Sequence, residues 1–99
     1  MQKFSAHEAA QQVAALDGWR LEAGAGAITR DFRFADFRTA WAFMTAVAAV
    51  ADRLDHHPEW SNIYNQVSIR LTTHDAGGLT ARDMTLARCI ADAADRAVK

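Results

Sequence analysis

Three of the four histidines in this 99-residue sequence, His56, His57 and His74, fall within nineteen positions, together with the only proline, Pro58. Asp52, Asp55, Asp75 and Asp83 flank them. Imidazole titrates at about pH 6.5, so neutral and protonated histidines coexist near neutrality. That mixture suits a reaction that protonates a leaving group while another proton is removed. Asp52 lies one helical turn before His56 and is expected to orient or charge it. His56 and His57 precede a proline, so their backbone is extended or turned and their side chains diverge. Two such neighbours seldom chelate one ion, since helical metal ligands stand three or four residues apart. A site using one of the pair with His74 and a carboxylate stays open, but metal-free acid–base chemistry fits the pattern better. No serine or cysteine is paired with a histidine in a nucleophile motif, and no Gly-rich phosphate loop exists, which argues against covalent catalysis and nucleotide hydrolysis. The plainer alternative is structural. Paired histidines ending a helix favour its C-terminal dipole, and Asp83 is the fourth residue of a capping box, Thr80-Ala81-Arg82-Asp83.

Seven elements are needed to hold these residues. Ser5-Ala6-His7-Glu8 is a capping box opening a short helix with Ala9, Val13 and Leu16 on one face, stopped by Asp17-Gly18. Residues 19–22 alternate as a half-buried strand, and Gly24-Ala25-Gly26 reverses the chain. Ile28, Arg30, Phe32 and Phe34 share one side of the next strand, where Arg30 is the odd member. Asp36 caps a helix running to about Leu54. Its apolar residues spread beyond one stripe: Trp41, Met44, Val47 and Ala48 make one face, and Phe43, Ala46, Val50 and Leu54 broaden it. A helix so apolar must be covered on more than one side, which predicts a second subunit. Residues 60–64 and 67–73 form two strands, with Val67, Ile69 and Leu71 facing inward and Ser68, Arg70, Thr72 and His74 outward. The last helix buries Met84, Ala87, Ile90, Ala91, Ala94 and Val98. The order α-β-β-α-β-β-α predicts a single α+β domain over residues 1–99, with a four-stranded antiparallel sheet and three helices packed on one face.

Bulk properties exclude several functions. Hydrophobic residues make up 51% and charged ones 23%, a globular balance. A net charge of −1 gives no general pull toward nucleic acid or anionic lipid. One cysteine, Cys89, rules out an intrachain disulfide and falls in a helical pattern as a small core residue. The longest apolar run, 40–51, is broken only by Thr45 and is shorter than the ~20 residues a membrane span needs. Without an apolar leader at the N-terminus, the expected setting is cytoplasmic.

The series Asp52-x3-His56-His57-Pro58-x5-Tyr64-x9-His74-x8-Asp83 closely resembles the signature of the pterin-4a-carbinolamine dehydratases. The resemblance extends through Gly18-Trp19, Phe32, Phe34, Phe37, Phe43-Met44-Thr45, Leu54-Asp55-His56-His57-Pro58-Glu59-Trp60, Asn62, Tyr64-Asn65 and Thr73-His74, ending in Gly78-Leu79-Thr80-x-Arg82-Asp83. It implies an α+β fold whose sheets pair into homodimers and whose long helices pack into homotetramers. The activity implied is dehydration of 4a-hydroxytetrahydropterin (4a-hydroxytetrahydrobiopterin) to quinonoid dihydropterin, which recycles the cofactor of aromatic amino acid hydroxylation, with no metal or organic cofactor. Carried over, His56, His57, His74 and Asp52 are the catalytic group, with His56 and His74 transferring protons and His57 positioning. Asp55, His56, His57, Thr72, Thr73, His74 and Asp75 would bind the pterin, while Pro58, Trp60 and Tyr64 shape and pack the backbone around them. Asp52 is one methylene shorter than the glutamate common at that place, and Ser61 replaces a bulkier residue. Animal relatives also partner a homeodomain transcription factor. A non-catalytic binding module, or a relative serving molybdopterin enzymes, is therefore the alternative.

Overall fold

The computed structural model describes residues 2–98. Its elements are α1 (Ala6–Ala14), β1 (Arg20–Leu21), β2 (Ile28–Arg33), α2 (Phe37–Leu54), β3 (Glu59–Ile63), β4 (Gln66–Leu71), a single 3-10 turn at His74–Ala76, and α3 (Ala81–Ala97). The expected order α-β-β-α-β-β-α is therefore the observed one. Local chemistry starts each helix. Ser5 and Glu8 close a reciprocal capping box on α1, Asp36 Oδ1 accepts from the Thr39 amide at 2.8 Å on α2, and Thr80 with Asp83 closes a second capping box on α3.

The four strands are all antiparallel, in the order β1-β2-β4-β3. Period-two burial follows the residue pattern: Val67, Ile69 and Leu71 are buried, and Ser68 and Gln66 are exposed. β4 is central because both β2 and β3 pair with it, Ile28 opposite Leu71 and Glu59 opposite Arg70. On the helix-covered face, Phe43 of α2 lies 4.9 Å, centroid to centroid, from both Phe32 and Phe34. Phe43 is wholly buried, so truncating it to alanine costs ~3–5 kcal/mol. The opposite face is open and carries Asp31, Arg33, Glu59, Ser61, Gln66 and Ser68, all exposed.

Arg30, the odd polar member of the β2 inner face, has a specific place. Its Nη1 donates to the Asp17 carbonyl at 3.1 Å, and its guanidinium sits 4.4 Å from the Phe32 centroid. Several expected packing positions differ. The buried stripe of α2 is Ala40, Phe43, Val47 and Ala51 rather than the face containing Trp41 and Ala48, both of which are exposed. In α3 the buried residues include Asp83, Leu86 and Ala93, whereas Ala91 is half-buried and Val98 exposed. Cys89 is half-buried in a groove between α2 and α3, not in the core. Tyr64 occupies the β3–β4 turn with φ +52° and is exposed instead of packed. No helix among the described residues is long and apolar enough to cross a membrane.

Candidate active site

The end of α2 determines where the paired histidines point. Asp55 takes the left-handed conformation (φ 53°, ψ 42°) just beyond Leu54. Its N–H bonds the Asp52 carbonyl at 3.1 Å, and the His56 N–H bonds the Ala51 carbonyl at 3.0 Å. These two bonds satisfy the last carbonyls of the helix and turn the chain sharply. His57 then precedes Pro58, which biases it to extended backbone. His56 is consequently buried against α3, while the His57 side chain stays 61% exposed.

His56 Nε2 lies 2.6 Å from Oδ1 of Asp83, a carboxylate with no exposed surface. The other oxygen, Oδ2, accepts from the Thr80 amide at 2.9 Å and the Thr73 hydroxyl at 2.8 Å. A hydroxyl has one proton to give. Thr73 spends its proton on Asp83, so in the 2.9 Å contact between Thr73 and Thr80 it is Thr80 that donates. Thr80 Oγ1 in turn accepts from the Arg82 amide at 3.2 Å. With every buried partner satisfied, Asp83 is left to accept from His56 Nε2–H, and Nδ1 is the ring nitrogen available for other chemistry.

His57 and His74 have looser carboxylate partners. His57 Nε2 is 3.7 Å from Asp52 Oδ1, both well exposed, and His74 Nε2 is 3.1 Å from Glu59 Oε2. The expected Asp52–His56 contact is therefore corrected: Asp52 is beside His57, and Asp83 partners His56. The physical reason is the left-handed residue between them. His56 lies outside the helix, so the one-turn spacing from Asp52 no longer puts the two side chains on one face.

Asp55, His56, His57, Thr72, Thr73, His74 and Asp75 line one pocket of about 190 Å³, together with Arg82. Of the residues given a catalytic or pterin-binding role from sequence, Asp52 is the one absent from this lining. Thr72 and Thr73 already spend their hydroxyl protons, the former on the Gly26 carbonyl at 2.6 Å. They hold the walls in place. Beyond their place in the family resemblance, Arg82 and Glu59 carry no site signal in the sequence, and Asp83 has there the ordinary role of a helix cap. The one available signal was that Asp83 closes the histidine spacing pattern. Among the described residues, no group of three His, Cys, Asp or Glu side chains is placed to hold a metal ion. The pocket's resources are thus imidazoles, carboxylates and one guanidinium, enough to donate and accept protons around a polar planar ligand.

A family model described as pterin 4 alpha carbinolamine dehydratase matches residues 2–93. A relative from Paraburkholderia xenovorans (strain LB400), named "Putative pterin-4-alpha-carbinolamine dehydratase", is 52% identical over 88 residues, 89% of this chain and 92% of that one. A protein of the same name from Rhizorhabdus wittichii is 54% identical over 83 residues, 84% of this chain and 86% of that one. The crystal structure of a "transcriptional coactivator/pterin dehydratase" from Brucella Melitensis is similar with TM-score 0.90 and 44% identity, over 94% of this chain and 99% of that one. A "pterin dehydratase-like protein", described as a RuBisCO assembly factor in the alpha-carboxysome, shares the fold at TM-score 0.69 and 22% identity, over 78% and 89% of the two chains.

Proposed function

The chain belongs to the pterin 4 alpha carbinolamine dehydratase family, and from that membership we propose that it converts 4a-hydroxytetrahydropterin to quinonoid dihydropterin and water. The carrying observation is the convergence of His56, His57 and His74 on one pocket, with His56 fixed by the buried Asp83. In the reaction the C4a–O bond breaks, and the departing hydroxyl takes a proton to leave as water. The N5 lone pair forms the C4a=N5 bond, and the N5 proton passes to a base. One proton is given and one taken, so two histidines of opposite protonation suffice, with no metal or organic cofactor. His56 and His74 are the proton-transfer pair in this reading: each has Nε2 against a carboxylate, which leaves Nδ1 for the substrate. His57, only loosely tied to Asp52, positions the pterin beside Asp55, Asp75 and the Thr72–Thr73 wall. The setting proposed is cytoplasmic pterin recycling. The test is the rate at which the 4a-carbinolamine absorbance disappears. His56→Ala and His74→Ala are each expected to slow it by ~10²–10⁴-fold. His74 is largely exposed, so His74→Ala should do so with stability within about 0.5 kcal/mol of the parent. Unchanged rates in both variants would sink the reading.

A homo-oligomer belongs to the same proposal. β3 is an edge strand without proline or lysine, open to pairing by a second copy. Phe37 and Trp41 stack at 6.0 Å on the outside of α2, 45% and 57% exposed. That exposed pair also favours the second reading, a protein-binding module, in line with the coactivator wording attached to the Brucella structure. Light scattering of Trp41→Glu and Ser61→Pro separates the two. Loss of the oligomer supports self-association, whereas a monomeric parent that binds another protein through Trp41 supports the module.

A further inference from the structure

His74 is the most open of the three pocket histidines, with 78% of its side chain exposed. A ring so open turns among its rotamers unless a partner holds it. The partner is Glu59, the first residue of β3. Glu59 stands directly opposite Arg70 in the β3–β4 register, and Arg70 Nη1 donates to both of its oxygens, at 3.2 and 3.0 Å. From the other side Glu22 grips Arg70 with two parallel bonds, Nε to Oε2 at 2.8 Å and Nη2 to Oε1 at 3.1 Å. Such a fork fixes the plane of the guanidinium. It also holds the Arg70 proton more firmly than usual, chiefly through the Glu22 hydrogen bond. Glu22 is tied across its own loop by an N–H bond to the Ala27 carbonyl at 3.0 Å. A continuous line, Glu22–Arg70–Glu59–His74, therefore runs across the sheet to the pocket.

Stability does not explain this line, because partly exposed ion pairs contribute little. Substrate contact does not explain Glu59 either: Glu22 and Arg70 line a second pocket that shares Thr72 and His74 with the histidine pocket, but Glu59 lines neither. We propose that Glu59 is the positioning residue of His74. Its carboxylate lies 3.1 Å from Nε2 as an ion-pair contact, which favours the proton on Nε2 and leaves the Nδ1 lone pair for chemistry, and it is kept from swinging by the Arg70–Glu22 fork. This rests on the dehydratase reading of His74 only where turnover is concerned; the tautomer is independent of it.

The test is ring ¹⁵N NMR on labelled protein at about pH 8.5, above the ordinary histidine range, beside steady-state turnover, for the parent, Glu59→Ala, Glu59→Gln and Arg70→Met. In the parent His74 is mainly the Nε2–H form. Glu59→Ala yields a mixture of tautomers and lowers kcat by up to about 100-fold with little change in KM, because the base is present but misaimed. Glu59→Gln, whose side-chain carbonyl still accepts, restores much of both signals, and Arg70→Met falls between. Urea midpoints near the parent's show that the fold is intact. A His74 tautomer unchanged by Glu59→Ala overturns the proposal, whatever kcat does. A tautomer shift with unchanged kcat leaves the positioning in place and removes His74 from proton transfer. A tautomer shift in a parent without dehydratase activity overturns the activity instead.

Discussion

Replacing Asp83 with asparagine alters one group at the junction of α3 and the histidine pocket, and its consequences can be worked out bond by bond. The carboxylate accepts from Thr80 N–H at 2.9 Å, Thr73 Oγ1–H at 2.8 Å and His56 Nε2–H at 2.6 Å. Asparagine keeps a carbonyl oxygen for the two threonines, but those bonds become neutral. Hydrogen bonds to a charged group are worth ~1.5–3 kcal/mol and neutral ones ~0.5–1.5, so the pair loses about 2 kcal/mol. That is a fraction of the ~5–15 kcal/mol typical of a small domain, and the protein should remain folded. The effect at His56 is different in kind. The amide NH2 now faces Nε2 and donates, which drives the ring proton to Nδ1 and reverses what the histidine offers the substrate. Turnover is expected to fall ~10²–10⁴-fold. Stopped-flow loss of the carbinolamine absorbance and urea unfolding on the same sample measure the two effects separately. A folded variant slowed by less than about threefold, under 1 kcal/mol of barrier, would refute the assignment of His56 as a proton-transfer group oriented by Asp83. Alanine is the poorer choice, since three stranded donors at ~1–3 kcal/mol each would approach the whole stability.

Two further expectations concern the scaffold. Gly18 has φ +84°, and a Cβ there would meet Arg30 Nε at 2.8 Å, whereas Gly24 at φ +90° has nothing within 4 Å. Gly18→Ala should therefore cost ~1–2 kcal/mol of backbone strain plus the displacement of Arg30, and Gly24→Ala the strain alone; equal urea midpoints would contradict this. In acid, protonation of the capping carboxylates should cost stability. The Thr39 hydroxyl and amide hold the Asp36 carboxyl below its ordinary 3.8, and Ser5 does the same for Glu8 below 4.5. Because these pKa values are depressed in the folded state, the stabilisation is complete above the ordinary values and is lost as pH falls through the folded ones. Melting temperature against pH should flatten below pH 4 in Asp36→Asn relative to the parent; parallel curves would argue against the cap as the cause.

The elements were legible because their signals are local. Ser5/Glu8, Asp36 and Thr80/Asp83 announce helix starts from within four residues, and the alternation of Val67, Ile69 and Leu71 fixes the inner face of β4. The phase of α2 was not, because its many alanines pack equally well on several faces and only the Phe32–Phe34–Phe43 cluster selects one. The pocket was legible as a set of residues but not as a set of pairs. The Asp83–His56 contact joins positions 27 apart and depends on the backbone reversal at Asp55, a conformation that aspartate tolerates but does not advertise. Glu59 reads simply as a strand residue until the register sets it opposite Arg70.

The Asp55 reversal also makes α2 a gauge of phase and length. The 18-residue helix spans about 27 Å. It is locked by Asp36 at one end, by the buried stripe Ala40–Phe43–Val47–Ala51 along its side, and by the Ala51–His56 bond at the other. One residue inserted between Ala51 and Asp55 would rotate everything beyond it by about 100° and advance it ~1.5 Å, turning His56 off the line to Asp83. Substitutions on the outer face of this helix are free to drift with whatever it meets outside. Its count of residues to the histidines is not, and related chains should vary in length anywhere but there.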